Sequence, residues 1–241
     1  MLASLFLATT LALTGTPVRV AALCGSADGQ VLRELVGLAR CEKPKTLVFA
    51  TAGGDKPEAI RRLENAFADC GAVVEAVRIA KERPADLSAL RQKIVAADLI
   101  WFSGGSTENL LQRLNFFYLA QALRDAYRNG TVLAGYSAGA NLLSFAGYND
   151  FSDGRYDLIQ GLNVVPVYYC PHYPADSWGG FDARLREETS PLAPAEAWAL
   201  GNGNMIVSRD GRLEVRRLNA EKPIVRFARH GGIWTKEAEA K

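Results

Sequence analysis

From Val18 onward the chain alternates short, β-rich apolar runs with stretches of helical spacing, and that rhythm leaves few folds open. Val18 to Cys24 is the first run. Val31, Leu32, Leu35 and Leu38 then recur at helical intervals, and the TLVFAT segment at 46–51 reads as a second buried strand. The same pattern predicts a helix over 57–69 and strands over 72–79 and 99–102, with a helix over 88–96 between them. A long helix over 108–127 and a strand over 131–135 follow. Strands separated by helices pair in parallel and need cover on both faces, so the expected fold is α/β, a mostly parallel sheet between layers of helices. A chain of 241 residues, 49% of them apolar, can fill one such domain over 18–230, with an N-terminal extension over 1–17 and a C-terminal tail over 231–241.

After Leu142 the alternation weakens. A stretch rich in Gly, Tyr, Asn and Asp over 147–161 reads as a loop, and a strand resumes over 164–169. The segments 205–208, 212–217 and 224–228, separated by turn residues, read as a short antiparallel meander. Internal repeats and low-complexity tracts are absent from the sequence.

Charge narrows the function classes. Lys plus Arg number 28 against 26 for Asp plus Glu, so there is no net field to hold nucleic acid or an anionic membrane, and neither is expected as a partner. Cys24, Cys41, Cys70 and Cys170 lie far apart without a C-x-x-C pair, spacing that suits neither zinc nor a disulfide scaffold and reads as mostly buried thiols of a reduced compartment. The apolar run at 1–17 lacks a basic start and is too short to span a bilayer, so a cytoplasmic location is expected over export.

The segment Val132-Leu-Ala-Gly-Tyr-Ser137-Ala-Gly-Ala-Asn141 carries the chemistry: an apolar strand enters G-x-S-x-G and leaves into a helix. Small residues on both sides let the backbone turn sharply enough to project the Ser137 hydroxyl, and the amide of Ala138 then points where an oxyanion would form. The competing reading is a serine that merely caps the helix. A serine nucleophile needs a base, and of the two histidines His172, between Pro171 and Pro174 after an apolar strand, suits better than His230 in its basic, Gly-rich surroundings. Asp150, Asp153 and Asp157 all lie between Ser137 and His172, and spacing does not choose which of them orients the imidazole. A second strand, glycine turn and helix at Leu99 to Leu110 offers the Gly105 amide as another oxyanion donor and Ser106 or Thr107 as a helix cap. It lacks the spacing of a phosphate-binding loop.

Four segments in this order, Asp98-Leu-Ile-Trp-Phe-Ser-Gly-Gly-Ser-Thr107, Gly135-Tyr-Ser-Ala-Gly-Ala-Asn141, Asn149-Asp150 and Cys170-Pro-His-Tyr173, resemble peptidase family S51, the group of peptidase E and cyanophycinase, over about 18–228. The resemblance implies a flavodoxin-like or class I glutamine amidotransferase-like architecture and a serine-type dipeptidase. It implies Ser137 as nucleophile, His172 as base, Asp150 as the orienting carboxylate and the Gly105 and Ala138 amides as the oxyanion hole. It further implies short peptide substrates with an N-terminal Asp, no metal and no cofactor. Arg184, Tyr173 and Asn141 are the substrate-binding candidates, and a homodimer is an open option. Two positions depart from the family: Phe181 replaces the first arginine of a Thr-Arg-Glu-x-Arg-Ile stretch, leaving Arg184 as the second, and Leu200-Gly-Asn202-Gly-Asn204 lacks a usual carboxylate. The alternatives are a polymer or small-amide hydrolase of the cyanophycinase kind and a non-catalytic binding domain that kept the turn. The distance between Ser137 and His172 separates catalysis from the last of these.

Overall fold

Five buried residues, β1 (Val20–Cys24), start the domain, and Asp28 then caps α1 (Gly29–Leu38) by accepting from the amides of Gln30 and Val31. The computed structural model describes residues 17–174 and 176–237, so the extension expected over 1–17 lies, but for Pro17, outside the described residues. There follow β2 (Lys45–Phe49), a 3-10 turn (Thr51–Gly53), α2 (Pro57–Asp69), β3 (Val73–Val77), α3 (Leu87–Ala96) and β4 (Leu99–Phe102). Next come α4 (Thr107–Phe116), α5 (Ala120–Arg128), β5 (Val132–Tyr136) and α6 (Ala138–Leu143). The second half holds β6 (Ser144–Asp150), β7 (Tyr156–Gln160), β8 (Val165–Cys170), α7 (Phe181–Arg186), β9 (Glu196–Leu200), β10 (Asn204–Arg209), β11 (Arg212–Arg217), β12 (Ile224–His230) and β13 (Ile233–Lys236).

The expected parallel sheet is present, in the order β11-β10-β1-β5-β4-β2-β3. The five strands β1, β5, β4, β2 and β3 run parallel, and β10 and β11 add antiparallel at the edge opposite β3. Neighbouring residues of a strand face opposite sides, which explains why its strands read as unbroken apolar runs. Val48 and Trp101 join Leu35 and Phe67 on one face, whereas Phe49 and Phe102 join Leu114 and Leu123 on the other. Burial of each such side chain stabilises the fold by about 1.5–3 kcal/mol. The strand order reverses between β2 and β4, and there the turns 51–53 and 103–106 meet, with the Ser106 amide donating to the Ala52 carbonyl at 2.9 Å. Ligands of open α/β sheets bind at such a switch point.

A second sheet, β13-β12-β9-β8-β6-β7, was not foreseen, and it alters three expectations. The 147–161 stretch is a hairpin: β6 pairs antiparallel with β7, opposing Tyr148 to Leu158 and Asp150 to Tyr156. The C-terminal meander is divided, because β10 and β11 extend the first sheet while β12 pairs with β9 in the second. Part of the tail expected over 231–241 is β13, paired with β12. The long helix over 108–127 is also two helices. Residues two apart on a helix point about 200° from each other, so Phe117 and Leu119 reach the core together only because the chain breaks at Tyr118, which has φ 53° and is 78% exposed.

Candidate active site

At the carboxyl end of β5 the backbone turns through Ser137 at φ 52° and ψ −119°, a conformation strained for a residue with a side chain, and enters α6 directly. The flanking glycines are required by space. A Cβ on Gly139 would lie 2.1 Å from the Phe102 carbonyl oxygen, and one on Gly135 would lie 2.5 Å from the Gly139 backbone. The Ser137 side chain makes no capping hydrogen bond to α6, which removes the reading of it as a helix cap. Its Oγ instead meets His172 Nε2 at 3.0 Å.

His172 follows β8, and strand pairing brings it to the same end of the molecule as Ser137. The Tyr169 hydroxyl at the end of β8 donates to the carbonyl of Cys24, the last residue of β1 and partner of Tyr136 in β5. Trp178 packs edge-on against the imidazole at 5.3 Å.

The other ring nitrogen, Nδ1, faces Asn202 Oδ1 at 3.2 Å. An amide oxygen only accepts, so Nδ1 carries the proton and Nε2 is left as acceptor for the Ser137 hydroxyl. Asn202 lies in the turn that carries the chain from β9 in one sheet to β10 in the other. Gly203, at φ 82°, donates its amide to Ser26 Oγ at 3.1 Å, and the Ser26 hydroxyl donates to Asp28 at 2.5 Å. Burial works against the charge on Asp28, but the hydrogen bonds from Ser26, Val31 and Gln30 hold its carboxyl below the usual range. The loop after β1 thus anchors the turn that orients the histidine.

This geometry corrects several expectations. Asp150 does not meet the imidazole: it ends β6 as an exposed residue lining a cavity of about 580 Å³ together with Gly105, Glu108 and Gln112. Asp153 pairs with Arg155 at 2.9 Å, and Asp157 pairs with Arg184 at 2.5 Å. The Arg184 contact holds the Asp157 carboxyl below its ordinary value. Arg184 is further held by Glu188 at 2.7 Å and lines a different cavity, so it is not a free cation beside Ser137. Tyr173 is buried, with its hydroxyl between Asp182 and Lys236. Asn141 is buried beneath β6, donating to the Tyr148 carbonyl at 3.1 Å. Phe181, where the resemblance implies arginine, fills the core between Tyr148 and Phe227. Of the four cysteines only Cys24 and Cys170 are buried.

Ala138 follows Ser137 directly, and Gly105 follows β4, the strand that pairs with β5. Gly105 lines the cavity at φ 135°, and a Cβ there would fall 2.3 Å from the Ala52 carbonyl oxygen, so only glycine fits. Ala138 is the first residue of α6, whose amide has no acceptor within the helix. Ser106 caps α4, accepting from the Asn109 amide at 3.2 Å. Sequence reasoning registered Asn202 only as a position without its carboxylate, and it missed Trp178 and Glu108. The signal for Asn202 was its Asn-Gly turn between two strands. Among the described residues, no group of three or more His, Cys, Asp or Glu converges as a metal site would, and no helix is long and apolar enough to cross a membrane.

A strained serine presented to a histidine at the carboxyl edge of a parallel sheet defines a class, the α/β proteins that expose a serine on a strand-to-helix turn. Residues 25–216 match the model of peptidase family S51, and the chain belongs to that family. It is 33% identical over 135 residues to the uncharacterized peptidase YgaJ of Bacillus subtilis (strain 168), covering 56% of this chain and 57% of that protein. It is 30% identical over 149 residues to peptidase E of Haemophilus influenzae, covering 60% and 65%. The match thus spans less than two thirds of either relative. The fold of a peptidase from an acI-B1 actinobacterium superposes with a TM-score of 0.65 at 21% identity, covering 94% of this chain and 97% of that one.

Proposed function

We propose that this chain is a serine-type peptidase of short peptides in which Ser137 is the nucleophile and His172 the general base. The observation that carries the reading is the 3.0 Å approach of His172 Nε2 to Ser137 Oγ on a strained turn. In this mechanism Oγ attacks the scissile carbonyl as its proton passes to Nε2, and the imidazolium then gives that proton to the leaving amine. Water repeats the sequence on the acyl-enzyme. Asn202 holds the imidazole in the tautomer that leaves Nε2 free, and the amides of Gly105 and Ala138 are the donors for the oxyanion, each worth about 3–4 kcal/mol of barrier. An N-terminal Asp preference would call for a cation at the cleft, and Arg184 is engaged by Asp157 and Glu188, so the proposal does not include one.

The test is labelling by a fluorophosphonate and release of amino acids from a dipeptide panel, comparing the wild type with Ser137→Ala. Labelling and hydrolysis in the wild type, both lost in the variant, are expected. A Ser137→Ala protein that still cleaves at the wild-type rate would sink the mechanism. Ser137 and His172 out of reach of each other would have favoured the binding-domain alternative, and their 3.0 Å contact supports catalysis instead.

A further inference from the structure

We infer that the end of β1 and the loop 25–28 after it are the common reference from which both halves of the catalytic pair are placed, and that Ser26 is a positioning residue for His172. The inference rests on the peptidase reading above and adds to it a residue that acts on the base through another part of the chain.

β1 lies between β5, the strand that leads into Ser137, and β10, the strand that follows the Asn202 turn. Its last residue, Cys24, is paired with Tyr136, the residue before Ser137, and with Met205 at the start of β10. The carbonyl of Cys24 also accepts from the Tyr169 hydroxyl at 3.2 Å, close in the chain to His172. The nucleophile, the base and the residue that faces the base are therefore all located from one point, the carboxyl end of a single buried strand.

The residues after Cys24 hold the turn itself. The Gly25 amide donates to the Asn204 carbonyl at 2.7 Å, and a Cβ on Gly25 would lie 2.3 Å from the Gly201 carbonyl oxygen, so loop and turn meet backbone to backbone. Gly201 in turn donates to the Pro223 carbonyl at 2.8 Å. Both ends of the turn are thus fixed by backbone contacts, whereas its tip is held by a side chain. The Gly203 amide goes to Ser26 Oγ at 3.1 Å, a contact across 177 residues of chain, and the neighbouring Asn202 is the residue that meets Nδ1. Asp28, an acceptor only, takes the Ser26 proton at 2.5 Å and leaves the hydroxyl lone pairs to the amide. Asp28 is itself held by the Gln30 and Val31 amides at the start of α1. A run of hydrogen bonds therefore leads from a helix cap to the imidazole. Ser26, half-buried, is the link in it that loss of one oxygen removes while the backbone contacts and the core stay as they are. Misplacing a reacting group by about 1 Å can cost about 10²-fold in rate, and freeing the tip of this turn moves the residue that orients the base.

The test compares the full-length wild type with Ser26→Ala, Asn202→Leu and the double variant, by dipeptide hydrolysis, by the rate of fluorophosphonate labelling and by the denaturation midpoint. Expected for Ser26→Ala is a fall of about tenfold in kcat with KM held within about twofold, because orientation of the base is lost and substrate binding is not. Labelling, which needs the same serine and histidine but no leaving peptide, should slow by the same factor, and the midpoint should not move. In the Asn202→Leu background Ser26→Ala should cost nothing further, since Ser26 acts through that residue. An unchanged kcat in Ser26→Ala, a loss that multiplies with that of Asn202→Leu, or a loss of activity that tracks a lowered midpoint overturns the inference. If the wild type is labelled and cleaves peptides while Ser26→Ala matches it in both, the positioning role alone fails. If the wild type is neither labelled nor cleaves any peptide, the peptidase reading falls and takes the inference with it.

Discussion

The serine and the histidine are positioned by different physics. Ser137 belongs to one continuous strand, turn and helix, where glycines are forced by backbone contacts closer than any side chain would allow. His172 is set by parts distant in the chain: the end of β8, the Asn202 turn between β9 and β10, and the Ser26–Asp28 loop that anchors that turn. The first region is local and crowded, and the second is long-range and hydrogen-bonded. A crowded turn fails by steric clash and takes the fold with it. A hydrogen-bonded assembly loses orientation while the fold survives.

The largest expected effect tests whether the two regions act as one. Ser137→Ala should lower kcat by about 10⁴-fold or more, and His172→Ala by a comparable factor, while the double variant is no worse than either alone. Additive losses in steady-state kinetics would mean that the two side chains act independently. Next in size is Gly139→Ala, which pushes a methyl into the Phe102 carbonyl and should cost about 3 kcal/mol or more, read as a fall in the denaturation midpoint. A midpoint equal to the wild type would remove the steric account of the turn.

Asn202→Leu should behave oppositely, keeping the midpoint within about 0.5 kcal/mol because Asn202 is exposed, yet lowering kcat by about 10- to 100-fold through loss of the imidazole's orientation. Asn202→Asp, which keeps an acceptor facing Nδ1, should recover most of that loss. If both variants are as active as the wild type, Asn202 is not a positioning residue. The smallest effect concerns the Arg184–Asp157 pair, whose arginine lines a cavity that includes neither Ser137 nor His172. Arg184 depresses the Asp157 pKa from its ordinary 3.8, so the pair stabilises the fold above that value and the contribution is lost as pH falls through the depressed one. Acid unfolding of Arg184→Ala should therefore show a weaker dependence on pH below about 4, with little change in activity at neutral pH. A large activity loss there would return Arg184 to the substrate.

Much of this was legible in the sequence, and unevenly so. The strands β1, β2, β4 and β5 are buried on both faces, and such strands announce themselves as short apolar runs. The second sheet was not legible because the pattern that marks a strand does not name its partner: β9 pairs with β12, and β8 with β6 and β9, all nearer in the chain than β1 is to β5. The hairpin residues 147–161 mix apolar and polar side chains with three glycines and three aspartates, a composition that suits a loop equally well until a partner strand is present.

The sequence by itself determined the parallel sheet, the turn that carries Ser137, and the choice of His172 over His230, because periodicity and small-residue spacing are properties of neighbouring residues. Only the tertiary structure decided what faces the imidazole. Asp150, Asp153 and Asp157 all had the right chemistry, but the hairpin turns Asp150 to the cavity it shares with Gly105 and Glu108, arginines hold the other two, and the crossing from β9 to β10 delivers Asn202 to Nδ1. Hydrogen-bond partners are chosen by distance in space, and distance between segments far apart in the chain exists only once both sheets have formed.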